Sequence, residues 1–138
     1  MNTKHSLQKA LSLVAFLMLL VATTAQAKRV VERPYFLGSN NHKLEIERVT
    51  LDKKATLLDV KIYQASGDVG IDSHASIMAN GVKYDYIGSK QLPKGVFVKV
   101  PECGYVAATL RFKPMPETTT EFDFREIADN SGWNIYGV

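Results

Sequence analysis

A two-residue alternation of apolar and polar side chains runs through residues 28–138 and restricts this part of the chain to β structure. The pattern is clearest over residues 56–63, where every second residue from Thr56 to Ile62 suits a buried face. Residues 105–112 repeat it, with Val106 and Phe112 at the two ends of one face. Helical periodicity is almost absent, so we expect an all-β fold.

Turn signals divide this alternation into short strands. Asn80-Gly81 lies between two strand-like runs, and this pair favours a two-residue type I′ hairpin turn because both residues tolerate positive φ. The alternation slips by one residue near Glu47-Arg48, which predicts a β-bulge. Short strands are also predicted at Val30-Val31, as an edge strand, over residues 96–100 with Val96 facing inward, and over residues 120–127. Seven or eight strands with one apolar face each predict a two-sheet antiparallel β-sandwich, with a small barrel as the alternative.

Residues 1–27 have the three parts of a cleavable secretory signal peptide. Lys4 and Lys9 give a basic start, residues 11–22 form an apolar core, and Ala25 and Ala27 suit a cleavage site. The apolar run has 12 residues, whereas a transmembrane helix needs about 20. We therefore predict a protein that does not span a membrane and is exported to the periplasm or the cell exterior. Its single β-sandwich domain is predicted to cover residues 28–138, with Lys28 as the mature N-terminus.

The charge balance argues against nucleic acid as a partner. The whole chain has 17 Lys and Arg against 14 Asp and Glu, a net charge of +3. Two of the bases lie in residues 1–27, so the predicted mature chain carries 15 − 14 = +1. Phosphate binding depends on accumulated Lys and Arg contacts, and this chain has no such excess. The one cysteine, Cys103, excludes an internal disulfide.

Both ends of the predicted domain resemble a known type of exported domain. The segments that carry the resemblance are residues 32–36, 44–49, 55–58, 121–126 and 133–138. They resemble the immunoglobulin-like β-sandwich domain of Bacteroidetes extracytoplasmic proteins, which often precedes a thioredoxin-like domain. The resemblance implies a sandwich without an assigned activity. Because residues 28–138 contain no Cys-x-x-Cys, we expect the domain to stand alone, and redox activity is not carried over.

Catalytic, cofactor and metal sites are not predicted. Cys103 lies in a turn, and the sequence places neither His42 nor His74 beside it as a base. The same histidines have no spacing typical of a zinc site. Residues 68–72 contain two aspartates but lack the dense acidic pattern of a calcium loop. Cys103 is therefore interpreted as a residue filling a turn, with an intermolecular disulfide left open.

Four aromatic residues are the candidate partner contacts because the alternation places them on outward faces. They are Tyr63, Phe97, Tyr105 and Tyr136. Aromatic side chains provide contact area at little entropic cost, which suits a glycan or a protein partner. Exposed aromatics are also common on surfaces without function.

The sequence therefore predicts an exported, non-enzymatic binding or interaction module, expected to be a monomer. The alternative is a structural or assembly subunit of the cell envelope that uses edge-strand pairing. The ligand is an unknown protein or glycan, and no cofactor is expected.

Overall fold

The computed structural model describes residues 28–127 and 132–138, and in these residues the chain forms strands and loops. The predicted signal peptide lies outside the described residues. The strands are β1 (Arg29–Glu32), β2 (Gly38–Ser39), β3 (Leu44–Leu51), β4 (Thr56–Tyr63), β5 (Asp68–Val69), β6 (Ser76–Ala79), β7 (Val82–Gly88), β8 (Val98–Lys99), β9 (Tyr105–Phe112), β10 (Asp123–Arg125) and β11 (Asn134–Tyr136). The all-β prediction is confirmed. Within this described part, no helix is long and apolar enough to cross a membrane.

Nine of the strands form one antiparallel sheet in the order β1-β3-β4-β9-β7-β6-β10-β11-β2, and β5 pairs with β8 in a small second sheet. The terminal strands β1 and β2 are consecutive in the chain and are joined by residues 33–37. A flat nine-stranded sheet would separate its edges by about 38 Å, because neighbouring strands lie ~4.8 Å apart. The connection from Glu32 to Gly38 spans at most about 21 Å. The sheet must therefore curl strongly.

Two local predictions are confirmed by the strand register. The pairing of β3 with β4 shifts between Ile46 and Arg48, so Glu47 is the extra residue of a bulge. Strands β6 and β7 form a hairpin in which Ala79 pairs with Val82 across Asn80-Gly81. Both turn residues have positive φ, 51° at Asn80 and 76° at Gly81, as a type I′ turn requires.

The inner faces of the alternating strands enclose the core. Strand β4 buries Thr56, Leu58, Val60 and Ile62, and β9 buries Val106, Ala108, Leu110 and Phe112, as the alternation predicts. Aromatic rings join the two halves of the sheet. The ring of Phe112 lies 5.3 Å from that of Tyr86 and 6.1 Å from that of Phe124. The Tyr86 hydroxyl donates to the Leu92 carbonyl at 3.0 Å, and burial raises the pKa of Tyr86 to about 12.

Some predicted strands are shorter than the sequence indicates. Residues 96–100 were expected to form one strand, but only Val98–Lys99 is paired, and its partner β5 has two residues. Val96 is exposed, so the inward orientation predicted for it is wrong. The strand predicted over residues 120–127 is restricted to β10. In both segments the alternation of apolar residues extends past the residues that pair with a neighbouring strand.

Candidate functional site

The structure brings two of the four predicted aromatics together on the outer face of the β3-β4-β9 sheet. Tyr63 and Tyr105 are register partners at the ends of β4 and β9. Their ring centroids lie 5.8 Å apart with the rings tilted by 51°. Tyr63 is exposed and Tyr105 is half-buried. They form the centre of a surface that we call the aromatic face, completed by Glu45, Glu47 and Lys61.

Charged side chains fix the orientation of these rings. The Tyr63 hydroxyl donates to Glu45 Oε2 at 3.0 Å, and this hydrogen bond raises the pKa of Tyr63. Lys61 Nζ lies 2.9 Å from Glu47 Oε1 and 5.2 Å from the centre of the Tyr105 ring. The hydrogen bond to Glu47 raises the pKa of Lys61, so its ammonium stays charged above the ring. These contacts orient both rings of the aromatic face.

A polar groove adjoins the aromatic face and crosses the neighbouring strands. Its volume is about 450 Å³. The lining residues are Glu32, Arg33, Glu47, Arg48, Asp59, Val60, Gln91, Ala107, Ala108 and Thr109. Glu47 belongs to both the groove and the aromatic face, and Ala107 of the groove is the register partner of Lys61. The groove therefore continues the surface that Tyr63 and Tyr105 begin.

Four charged residues of the polar groove are in ion pairs, namely Glu32, Glu47, Arg48 and Asp59, and Arg33 lines the groove without one in the described residues. Arg48 Nε lies 2.6 Å from Glu32 Oε1, and the hydrogen bond to Glu32 raises the pKa of Arg48. A second guanidinium nitrogen of Arg48 lies 3.5 Å from Asp59 Oδ2. The Thr109 hydroxyl donates to Asp59, and the Thr109 backbone N–H donates to Gln91 Oε1 at 3.2 Å. The groove thus offers oriented hydrogen-bonding groups with little excess charge.

The other two predicted aromatics lie elsewhere. Phe97 is 72% exposed in the loop before β8, and its ring lies against the backbone of Gly70. Tyr136 is half-buried in β11, where it pairs with Gly38 of β2 at the far end of the strand order. Neither residue joins the aromatic face.

The residues considered for catalysis or metal binding are also dispersed. His74 Nδ1 lies 3.1 Å from Asp72 Oδ1, whereas the Cys103 thiol donates to the Tyr105 carbonyl at 3.5 Å in another turn. Across residues 28–127 and 132–138, no group of three or more His, Cys, Asp or Glu side chains is placed to hold a metal ion.

A second surface, not predicted from the sequence, lies beside the terminal strand β1. A groove of about 390 Å³ lies between β1 and the segments 119–122 and 137–138. Tyr35, Phe36 and Leu37 lie beside it and are 96%, 54% and 84% exposed. We call the groove together with these three residues the seam surface. The available signal was an apolar triplet between Pro34 and Gly38 that breaks the two-residue alternation.

Comparison of the chain with models of protein families, with curated proteins and with solved structures finds no match.

Proposed function

We propose that this protein is an exported, non-enzymatic binding module that holds its ligand on the aromatic face. In this proposal residues 1–27 are a signal peptide, and the curled sheet is an immunoglobulin-like sandwich whose outer surface is used for recognition. The observation that carries the proposal is the fixed pair Tyr63 and Tyr105 beside a polar groove. Fixed aromatic rings lower the entropic cost of binding.

The ligand that suits this surface is a neutral, hydroxyl-rich chain such as an oligosaccharide. Because Arg48 pairs with Glu32 and Asp59, and Lys61 pairs with Glu47, the groove has little net field for an anion or a cation. Hydroxyl groups both donate and accept, so they match paired carboxylates and guanidinium groups. The exposed Tyr63 ring provides an apolar surface against which a sugar ring can pack.

The test is a calorimetric and thermal-shift titration of the exported protein with cellotriose, maltotriose and chitotriose. Binding of at least one trisaccharide supports the proposal, and Tyr63→Ala is then expected to weaken it about tenfold, the loss of ~1.4 kcal/mol. Phe97→Ala is the matched control, since it removes an exposed aromatic from another surface. Failure of all three sugars to bind at millimolar concentration would contradict the glycan proposal.

A second candidate is an assembly subunit of the cell envelope, and the edge of the sheet favours it. Strand β1 is terminal in the strand order, and in the described residues it pairs only with β3. An unpaired strand edge is a template for strand addition by another chain. The assembly subunit predicts association with another protein, whereas the binding module predicts binding of a soluble sugar.

A further inference from the structure

The seam surface contains a recess with apolar walls. Val31 and Leu51 line it from the β1-β3 side, and Phe122 and Val138 line it from the opposite side. The two sides are connected at one end by Arg29, whose guanidinium donates to the carbonyls of Glu117 and Thr119. Strand β1 therefore frames the recess on one side, and on the other side Arg29 contacts the segment that contains Thr119.

An apolar protrusion stands directly beside this recess. Tyr35 and Leu37 line the recess and yet are 96% and 84% exposed. Arg33 directs the protrusion outward. It has a φ of 46°, unusual for a residue before proline, and its N–H donates to the Glu47 carbonyl at 2.7 Å. Such a conformation persists only where the surrounding structure holds it.

Four charged residues line the recess. Arg29 is bound to backbone carbonyls and Glu32 is paired with Arg48, which leaves Arg33 and Glu121. Arg33 lines one side and Glu121 lines the other. Both are exposed, and neither has an ion-pair partner within the portion of the chain that the structure describes. A two-fold axis through the recess would place Arg33 of each copy over Glu121 of the other.

We propose that the seam surface binds a second copy of this chain in an isologous dimer. Tyr35 and Leu37 of each copy enter the recess of the other, because a two-fold contact requires each surface to carry both the protrusion and the recess that receives it. This inference goes beyond both candidate functions, because the contact is made by side chains in the recess and not by strand addition at β1. It leaves the aromatic face of each copy exposed for ligand.

The exposed area is consistent with a dimer of ordinary size. Fully exposed aromatic side chains offer ~150–250 Å² each, so residues 35–37 expose on the order of 400 Å² per copy. A standard interface takes about 800 Å² from each partner. The triplet would supply about half of that, and the dimer requires the remainder from the walls and rim of the recess.

The test is sedimentation equilibrium of the full chain after export and processing by the expressing cell. The mass of one processed chain is determined first. We expect a mass twice that of one chain at micromolar concentration. Leu37→Glu should raise the dissociation constant at least a hundredfold, while Phe97→Ser, the matched exposed control, should leave it unchanged. Because Leu37 is largely exposed, circular dichroism should show a folded variant.

A charge exchange provides a second test. Arg33→Glu alone and Glu121→Arg alone should each weaken the dimer about tenfold, and the double variant should restore it. A monomer at all concentrations, or equal effects of Leu37→Glu and Phe97→Ser, would overturn the dimer. Neither result would bear on sugar binding by the aromatic face, so the two proposals fail separately.

Discussion

Glu126 and Trp133 are joined by a hydrogen bond in which the Trp133 backbone N–H donates to Glu126 Oε2 at 2.8 Å. The other carboxylate oxygen accepts from the Asp72 N–H at 3.3 Å. One nearly buried carboxylate therefore connects the chain before β11 with the loop before β6. Burial raises the pKa of Glu126, and the charge of Asp72 adds to this, although the two N–H donors oppose it.

This raised pKa makes part of the stability depend on pH. Because the folded-state pKa lies above the unfolded value of ~4.3, the contribution of Glu126 is present in acid and is lost as pH rises through the raised pKa. We expect the unfolding free energy of wild type relative to Glu126→Gln to fall as the pH rises from the unfolded value of ~4.3 toward neutral. Urea unfolding across this range measures it. Glu102→Gln, at an exposed position, is the control. If the unfolding free energy of wild type relative to Glu126→Gln grew toward neutral pH, the raised pKa of Glu126 would be contradicted.

Thr56 supports the chain after β9 through a buried hydrogen bond. Its hydroxyl accepts from the Met115 N–H at 2.9 Å, and both residues are buried. Thr56→Val keeps the shape but leaves that N–H without a partner, so we expect a loss of about 1–3 kcal/mol in unfolding free energy. Chemical denaturation measures the loss. Thr118→Val, at an exposed position, should change stability by less than ~0.5 kcal/mol, and equal losses would count against the role of the hydrogen bond.

Alanine substitutions at Gly137 and at Gly81 distinguish the effect of backbone strain from the effect of contact with Leu37. Both have positive φ, 65° and 76°. A Cβ at Gly137 would lie 2.6 Å from Leu37 Cδ1, whereas a Cβ at Gly81 would meet nothing within 4 Å. Each alanine variant should lose about 1–2 kcal/mol from the left-handed conformation, measured by thermal unfolding. Only Gly137→Ala should also weaken self-association, because it displaces Leu37. An effect of Gly81→Ala on association would refute this link.

Processing of the N-terminal segment is tested by mass. We expect the exported protein to begin at Lys28, since Ala25 and Ala27 fit the small-residue cleavage rule. Intact-mass spectrometry of protein recovered outside the cytoplasm gives the answer directly. A mass that includes residues 1–27 would show that the segment is retained.

Local features of the fold could be predicted from sequence, and long-range ones could not. The bulge at Glu47 follows from a phase slip among adjacent residues, and the turn at Asn80-Gly81 follows from their tolerance of positive φ. Alternation alone placed Tyr63 and Tyr105 on outward faces. That they lie side by side depends on the register of β4 against β9, which no local pattern encodes.

The seam surface could not be predicted for a different reason. Apolar residues are more often buried than exposed, yet Tyr35, Phe36 and Leu37 are all exposed. Their exposure results from the failure of two sheet edges to meet, which is a property of the whole strand order. The burial of Glu126 could not be predicted from sequence either, because it depends on packing between loops that are distant in the chain.

The pairing of β2 with β11 has a consequence for how the chain is made. Ser39 pairs with Ile135 and Gly38 pairs with Tyr136, so β2 finds its neighbour 135 − 39 = 96 residues later in the chain. Until residues 134–136 have been synthesised, β2 has no strand beside it. The sheet is therefore completed late, and the apolar residues before β2 are accessible to chaperones during that interval.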